Sequence, residues 1–121
     1  MRIFSFNPIQ GRNITAFNSQ DATISPVTKG PRSQQTIALY LEPNGVLGNH
    51  KEVSDQLMLV VQGTAEVSSE GRSSLGVSAG DAVLWRSNEN HEVRAGSEGL
   101  TAIIVEGDGL PRFIAMPARR T

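Results

Sequence analysis

The sequence contains no cysteine. Disulfide scaffolds, thiolate zinc sites, cysteine nucleophiles and iron–sulfur clusters are all excluded by that absence. Histidine is almost as scarce. There are two, His50 and His91, so any imidazole chemistry must use one or both. Excess charge is also lacking: 11 Lys and Arg stand against 12 Asp and Glu, for a net charge of −1 with histidine neutral. Such a balance carries no electrostatic footprint for nucleic acid or an anionic membrane, and the Arg119-Arg120 pair is too short for a basic tail. No apolar run approaches the roughly 18–20 residues that a membrane span requires. The stretch Met1 to Pro8 shows neither a secretory apolar core nor a transit pattern, and a cytoplasmic location is expected. What remains is a chain of 121 residues, 38% hydrophobic and 19% charged. That is too apolar for disorder and of a length suited to one domain, residues 1–121.

Helical periodicity is hard to find. Apolar residues instead come in short, β-branched runs separated by glycine, asparagine and proline. Strands are expected at Ile14–Phe17, Ala22–Val27, Thr36–Leu41, Gln56–Gln62, Thr64–Ser68, Ser74–Val77, Ala82–Trp85, His91–Arg94 and Leu100–Val105. Turn signals recur about every 8–12 residues, which is the spacing of an all-β sandwich or barrel. Glu70-Gly71 and Ala79-Gly80-Asp81 read as turns, and Gly96-Ser97-Glu98-Gly99 reads as the tip of the last hairpin. In the run from Gln56 to Gln62, Leu57, Leu59 and Val61 share one face, while Gln56, Met58, Val60 and Gln62 share the other. Both faces are apolar at mid-strand, so this strand is expected to be covered on both sides.

The histidines fall in two separate blocks. His50 is followed by Glu52, Gln56 and Gly63. His91 is preceded by Gly80, Asp81 and a strand ending at Trp85. These blocks resemble the two motifs of the cupin superfamily. His50 matches the first motif's leading histidine and Gly63 its closing glycine. Glu52 stands where a second histidine is usual, Gln56 stands where a glutamate is usual, and Gly45 is one position late. In the second motif Gly80 and His91 match, while Arg86, Asn88 and Ala95 replace its proline, glycine and asparagine. The motifs span about residues 44–95, with one hairpin between them.

The resemblance implies a double-stranded β-helix, a jelly-roll-like barrel enclosing a pocket. It also implies a divalent metal ion, with His50 and His91 as the leading ligands, then Gln56 and Glu52. Asp55 is a weaker candidate because it alternates away from Gln56. Two imidazoles and a carboxylate suit zinc, manganese, iron or nickel and leave positions open for a substrate. Met58, Val60, Tyr40, Trp85 and Arg86 are the expected pocket residues, Arg86 as a carboxylate contact. Two functions are implied. One is a metal-dependent dioxygenase, isomerase or lyase for a small polar molecule. The other is a metal-free cupin that binds or senses a small ligand without catalysis. A homodimer is expected, with the apolar stretches Ile3-Phe4-Phe6 and Phe113-Ile114-Ala115-Met116 as edge or interface strands.

Overall fold

Alternating and β-branched residues draw the chain into seven strands, seen in a computed structural model that describes residues 1–31, 34–70 and 72–119. They are β1 (Arg12–Asn13), β2 (Gln20–Lys29), β3 (Gln35–His50), β4 (Asp55–Ser69), β5 (Leu75–Ser78), β6 (Ala82–Trp85) and β7 (His91–Gly107). Every pairing is antiparallel. The strand order is β1-β2-β3-β7-β4-β5, and β6 pairs with β4 beyond the end of β5. The architecture is an all-β barrel built on three long central strands. The expected hairpin between the motifs is β4–β5, which pairs Thr64 with Ser78 and Val67 with Leu75.

Sequence reading divided the long strands, and the division has a physical cause. Register breaks fall between Leu41 and Val46 in β3, between Gly63 and Ala65 in β4, and opposite Ala95 to Leu100 in β7. The breaks are adjacent, so three strands bend together and pass from one wall of the barrel to the other. Gly96 to Gly99 therefore forms a bend inside β7, not a hairpin tip. Gly63 adopts φ 86°, and a Cβ on it would lie 2.1 Å from the Gly99 carbonyl oxygen. Backbone meets backbone at this crossing, which admits only glycine. The expected turn residue Gly71 lies outside the described residues, as does Arg120.

Four other expectations need correction. The segment Ile14–Phe17 is not a strand: Ala16–Asn18 forms a 3-10 turn, with Phe17 and Asn18 at positive φ. The segment lies over the barrel end as a roof, with Ile14 half-buried and Phe17 still 54% exposed, instead of alternating across a sheet. The N-terminal Ile3 to Phe6 stretch pairs with no strand, and Leu110–Phe113 is a 3-10 turn leading into an irregular tail. Finally, β4 is fully buried on only one side. Gln56, Met58 and Val60 are buried, Leu57 and Leu59 are half-buried, and Val61 is 57% exposed.

The core occupies the barrel interior, where Leu39, Met58 and Val93 are fully buried. Among the described residues, no helix is long and apolar enough to cross a membrane.

Candidate functional site

The interior is not packed throughout. A cavity of about 350 Å³ opens at one barrel end. Its roof is the segment from Arg12 to Phe17, its wall includes Ile24, Ile37, Leu39 and Leu47, and its polar lining is His50, Glu52, Gln35, Gln56 and Glu106.

The fold brings the two histidines together. His50 ends β3, His91 begins β7, and they are cross-strand partners. Their ring centroids are 4.3 Å apart. Phe17 stacks on the outer face of His50 at 4.9 Å, and Trp85 stacks on His91 at 4.4 Å. The result is a column of four rings. Each Nδ1 faces a backbone carbonyl, Gly48 O at 2.7 Å for His50 and Glu89 O at 3.1 Å for His91. A carbonyl can only accept, so Nδ1 carries the hydrogen and Nε2 carries a lone pair in the neutral ring. His91 Nε2 is buried with no partner. His50 Nε2 lies 3.4 Å from Glu52 Oε1.

The rings also differ in basicity. Burial holds His91 below the usual histidine range, with the neighbouring His50 adding to the effect. Burial lowers His50 too, but the Glu52 and Gly48 contacts, with the charges of Glu52 and Glu106, raise it above that range. The loop between Trp85 and His91 is tied to the first block. Asn88 N donates to Glu52 O at 2.7 Å, and Ser87 N donates to Asp55 Oδ1 at 2.9 Å. Asp55 takes a second bond, at Oδ2, from Leu110 N at 3.1 Å. Its carboxylate is thus spent on fastening loops.

Glu106, near the end of β7, is the site residue that sequence reading missed. It pairs with Gln35 on one side and Gln56 on the other, because β7 runs between β3 and β4. Gln56 Nε2 donates to one carboxylate oxygen, and Gln35 Nε2 donates to the other at 2.6 Å. The expected strand stopped at Val105. One residue further, Glu106 continues the inward face of Ala102 and Ile104, a signal that period-2 reading could have used.

Comparison with solved structures shows which architecture this is. The chain is similar to KdgF from a Halomonas species, at 21% identity over 79% of this chain and 84% of that one, with a TM-score of 0.65. It is similar to the polyketide cyclase RemF from Streptomyces resistomycificus, at 16% identity over 88% and 78%, with a TM-score of 0.74. A cupin superfamily protein from Desulfitobacterium hafniense aligns at 14% identity over 72% and 77%, with a TM-score of 0.65. The chain has the cupin fold. No family model and no curated protein matches the sequence.

Within this cupin barrel the remaining expected residues are scattered. Met58 and Val60 belong to the packed core. Trp85 reaches the site only through its stack on His91. Tyr40 lies on the outer face of β3, where its hydroxyl donates to the Phe6 carbonyl at 2.5 Å. Arg86 is exposed in the loop after β6.

Two of the four expected metal donors are arranged to serve. Nε2 of His50 and of His91 are the atoms an ion would use, and the backbone carbonyls orient both rings in the way that outer-shell partners of metal ligands do. Glu52 is the adjacent carboxylate. Gln56 is engaged by Glu106 through its amide nitrogen. Among the described residues, no three His, Asp or Glu side chains converge at metal-ligand spacing. The donors present fit an ion held by two imidazoles with open positions, not a closed cage.

Proposed function

We propose that the barrel cavity is a binding site for a small polar molecule, and that a divalent metal ion is held at its edge by His50 and His91 with Glu52 beside them. One observation carries the metal part: His91 Nε2 is buried, oriented and without a partner. A buried polar atom left unpaired is costly, and a cation is the group a neutral imidazole lone pair accepts best in such a site. The fold likeness to a polyketide cyclase supports the small-molecule part. A bound ion would supply Lewis acidity or oxygen activation. The chain's own contribution is clearer. Glu52 sets its carboxylate beside His50 Nε2, the backbone fixes both rings, and the apolar wall excludes water from the bound molecule.

The test is metal analysis of untagged protein after reconstitution with Fe, Mn, Ni or Zn. About one equivalent is expected in the native chain, with loss of uptake in His91→Ala, and less than about a tenth of an equivalent for every metal would sink the metal reading. A metal-free binding cupin is the second reading. It is favoured by the missing third ligand and by the capture of Gln56, which stands at a usual ligand position, by Glu106.

We further propose that the chain forms a homodimer. Support comes from the N-terminal arm, where Ile3, Phe4 and Ile9 are 89%, 75% and 88% exposed.

A further inference from the structure

The floor of the cavity holds a carboxylate that forms no ion pair with a lysine or arginine among the described residues. Glu106 is buried, and each of its oxygens accepts one amide hydrogen, from Gln56 or from Gln35. An oxygen pair that only accepts is the pattern of an ionised carboxylate. Both donors are neutral. Among the described residues, no lysine or arginine lies within ion-pair distance of Glu106. Arg12 is the one such cation lining the cavity, and it is exposed on β1. His50 lines the cavity as well, but its Nε2 faces Glu52, 3.4 Å away.

A carboxylate has about four acceptor positions, and the two amides occupy only some of them. The rest point to a donor that the described residues do not provide. Beside this anion the wall is hydrocarbon, from Ile24, Ile37, Leu39, Leu47 and Ile104. A volume of about 350 Å³ corresponds to about a dozen waters, room for a compact organic molecule. An anion at one end and aliphatic side chains around it recognise a ligand with the opposite arrangement.

We propose that the cavity selects a small organic cation, a primary amine on a compact apolar body, whose ammonium group donates to Glu106. The proposal rests on the reading of the cavity as a small-molecule pocket and applies to the metal-free protein. An ammonium supplies three donors and a charge. The matching alcohol supplies one donor and no charge, and the matching carboxylate supplies repulsion. Gln35 and Gln56 act as positioning residues, since they hold the carboxylate in place without touching the hydrocarbon body.

Calorimetric titration of chelator-treated protein with cyclohexylmethylamine, cyclohexylmethanol and cyclohexanecarboxylate tests this. The amine is expected to bind at least about tenfold tighter than the alcohol, since hydrogen bonds to charged groups outweigh neutral ones by that factor, and the carboxylate is expected not to bind. In Glu106→Gln, the amine is expected to fall to the affinity of the alcohol. An alcohol or carboxylate that matches the amine in the native chain overturns the proposal alone, and so does an amine preference that survives Glu106→Gln. Failure of all three probes to bind the native chain overturns the pocket reading together with it. The native series needs no variant to fold.

Discussion

The two histidines are register partners, yet the interior differs on either side of their contact. On the side of His91, Trp85 stacks on the ring, and beyond it lies the packed core with Met58 and Val93 fully buried. Burial dominates there and holds His91 below its usual range. On the side of His50 lies the cavity, with Glu52 beside the ring at 3.4 Å and Glu106 among the lining residues. Their charges and the Gly48 carbonyl outweigh burial, and His50 is raised. The same side chain is set to two basicities by what the neighbouring strands bring. β4 and β6 close one side tightly, whereas the other is roofed only by a short irregular segment, which leaves room for a ligand.

The largest expected effect tests the packing on the two sides. Met58 and Leu39 are both fully buried, but Leu39 lines the cavity and Met58 does not. Met58→Ala leaves a dry void that its neighbours fill only partly, at a cost of about 3–5 kcal/mol. Leu39→Ala enlarges a space already open to water, which places it near the low end, about 2–3 kcal/mol. Urea unfolding midpoints measure both. Equal losses would mean that the two sides are equally packed and would end the comparison.

The next effect concerns charge. A histidine whose folded pKa is raised contributes stability below its unfolded value, and that contribution is lost as pH rises through the folded value. His50 is such a group. A histidine whose folded pKa is lowered contributes stability above its unfolded value, and this is lost as pH falls through the folded value. His91 is of that kind. In metal-free protein the two oppose one another as pH falls from about 8 to about 5, the range in which histidine titrates. Glu52→Gln removes the main support for His50, so burial then governs both rings. The variant is expected to lose more stability on acidification than the native chain, by up to about 1 kcal/mol for a partly exposed pair. A parallel pH dependence in the two proteins would show that Glu52 does not distinguish the rings.

Much of this contrast was visible in the sequence, and the part that was not has a physical cause. His50, Glu52, Gln56 and His91 stand out in the sequence through the resemblance of their spacing to the two cupin motifs, which is a local signal. The burial of Gln56, Met58 and Val60 on one face of β4 followed from period-2 alternation. Alternation does not say whether the other face is covered, and Val61 is not. The continuity of β3, β4 and β7 was hidden because the bend uses the same residues as a turn, Gly96 to Gly99 in particular. Glu106 was hidden for a different reason. A lone glutamate at a strand end reads as a solvated terminus, and only pairing with β3 and β4, 71 and 50 residues away in the chain, brings Gln35 and Gln56 to it. Long-range register is the information that a local pattern lacks.

The smallest effect on folding is expected in the N-terminal arm, the region that neither side of the barrel covers. Ile3, Phe4 and Ile9 are almost wholly exposed, and the Tyr40 hydroxyl holds the arm by a backbone contact at Phe6, which needs no particular side chain there. Phe4→Ser combined with Ile9→Ser removes two large apolar groups that make little contact within the chain. Stability of the isolated chain is expected to change by no more than about 0.5 kcal/mol per site. Light scattering is expected to change far more, from the mass of a dimer in the native protein to that of a monomer in the variant. A native protein that is already monomeric at tens of micromolar would refute the dimer. A loss of more than about 1 kcal/mol per site at unchanged mass would show that the arm packs on its own barrel. Within a single chain these side chains stay in water, and burial between two copies is what a dimer would gain from them; interior cavity walls such as Leu39 answer instead to folding stability and to ligand.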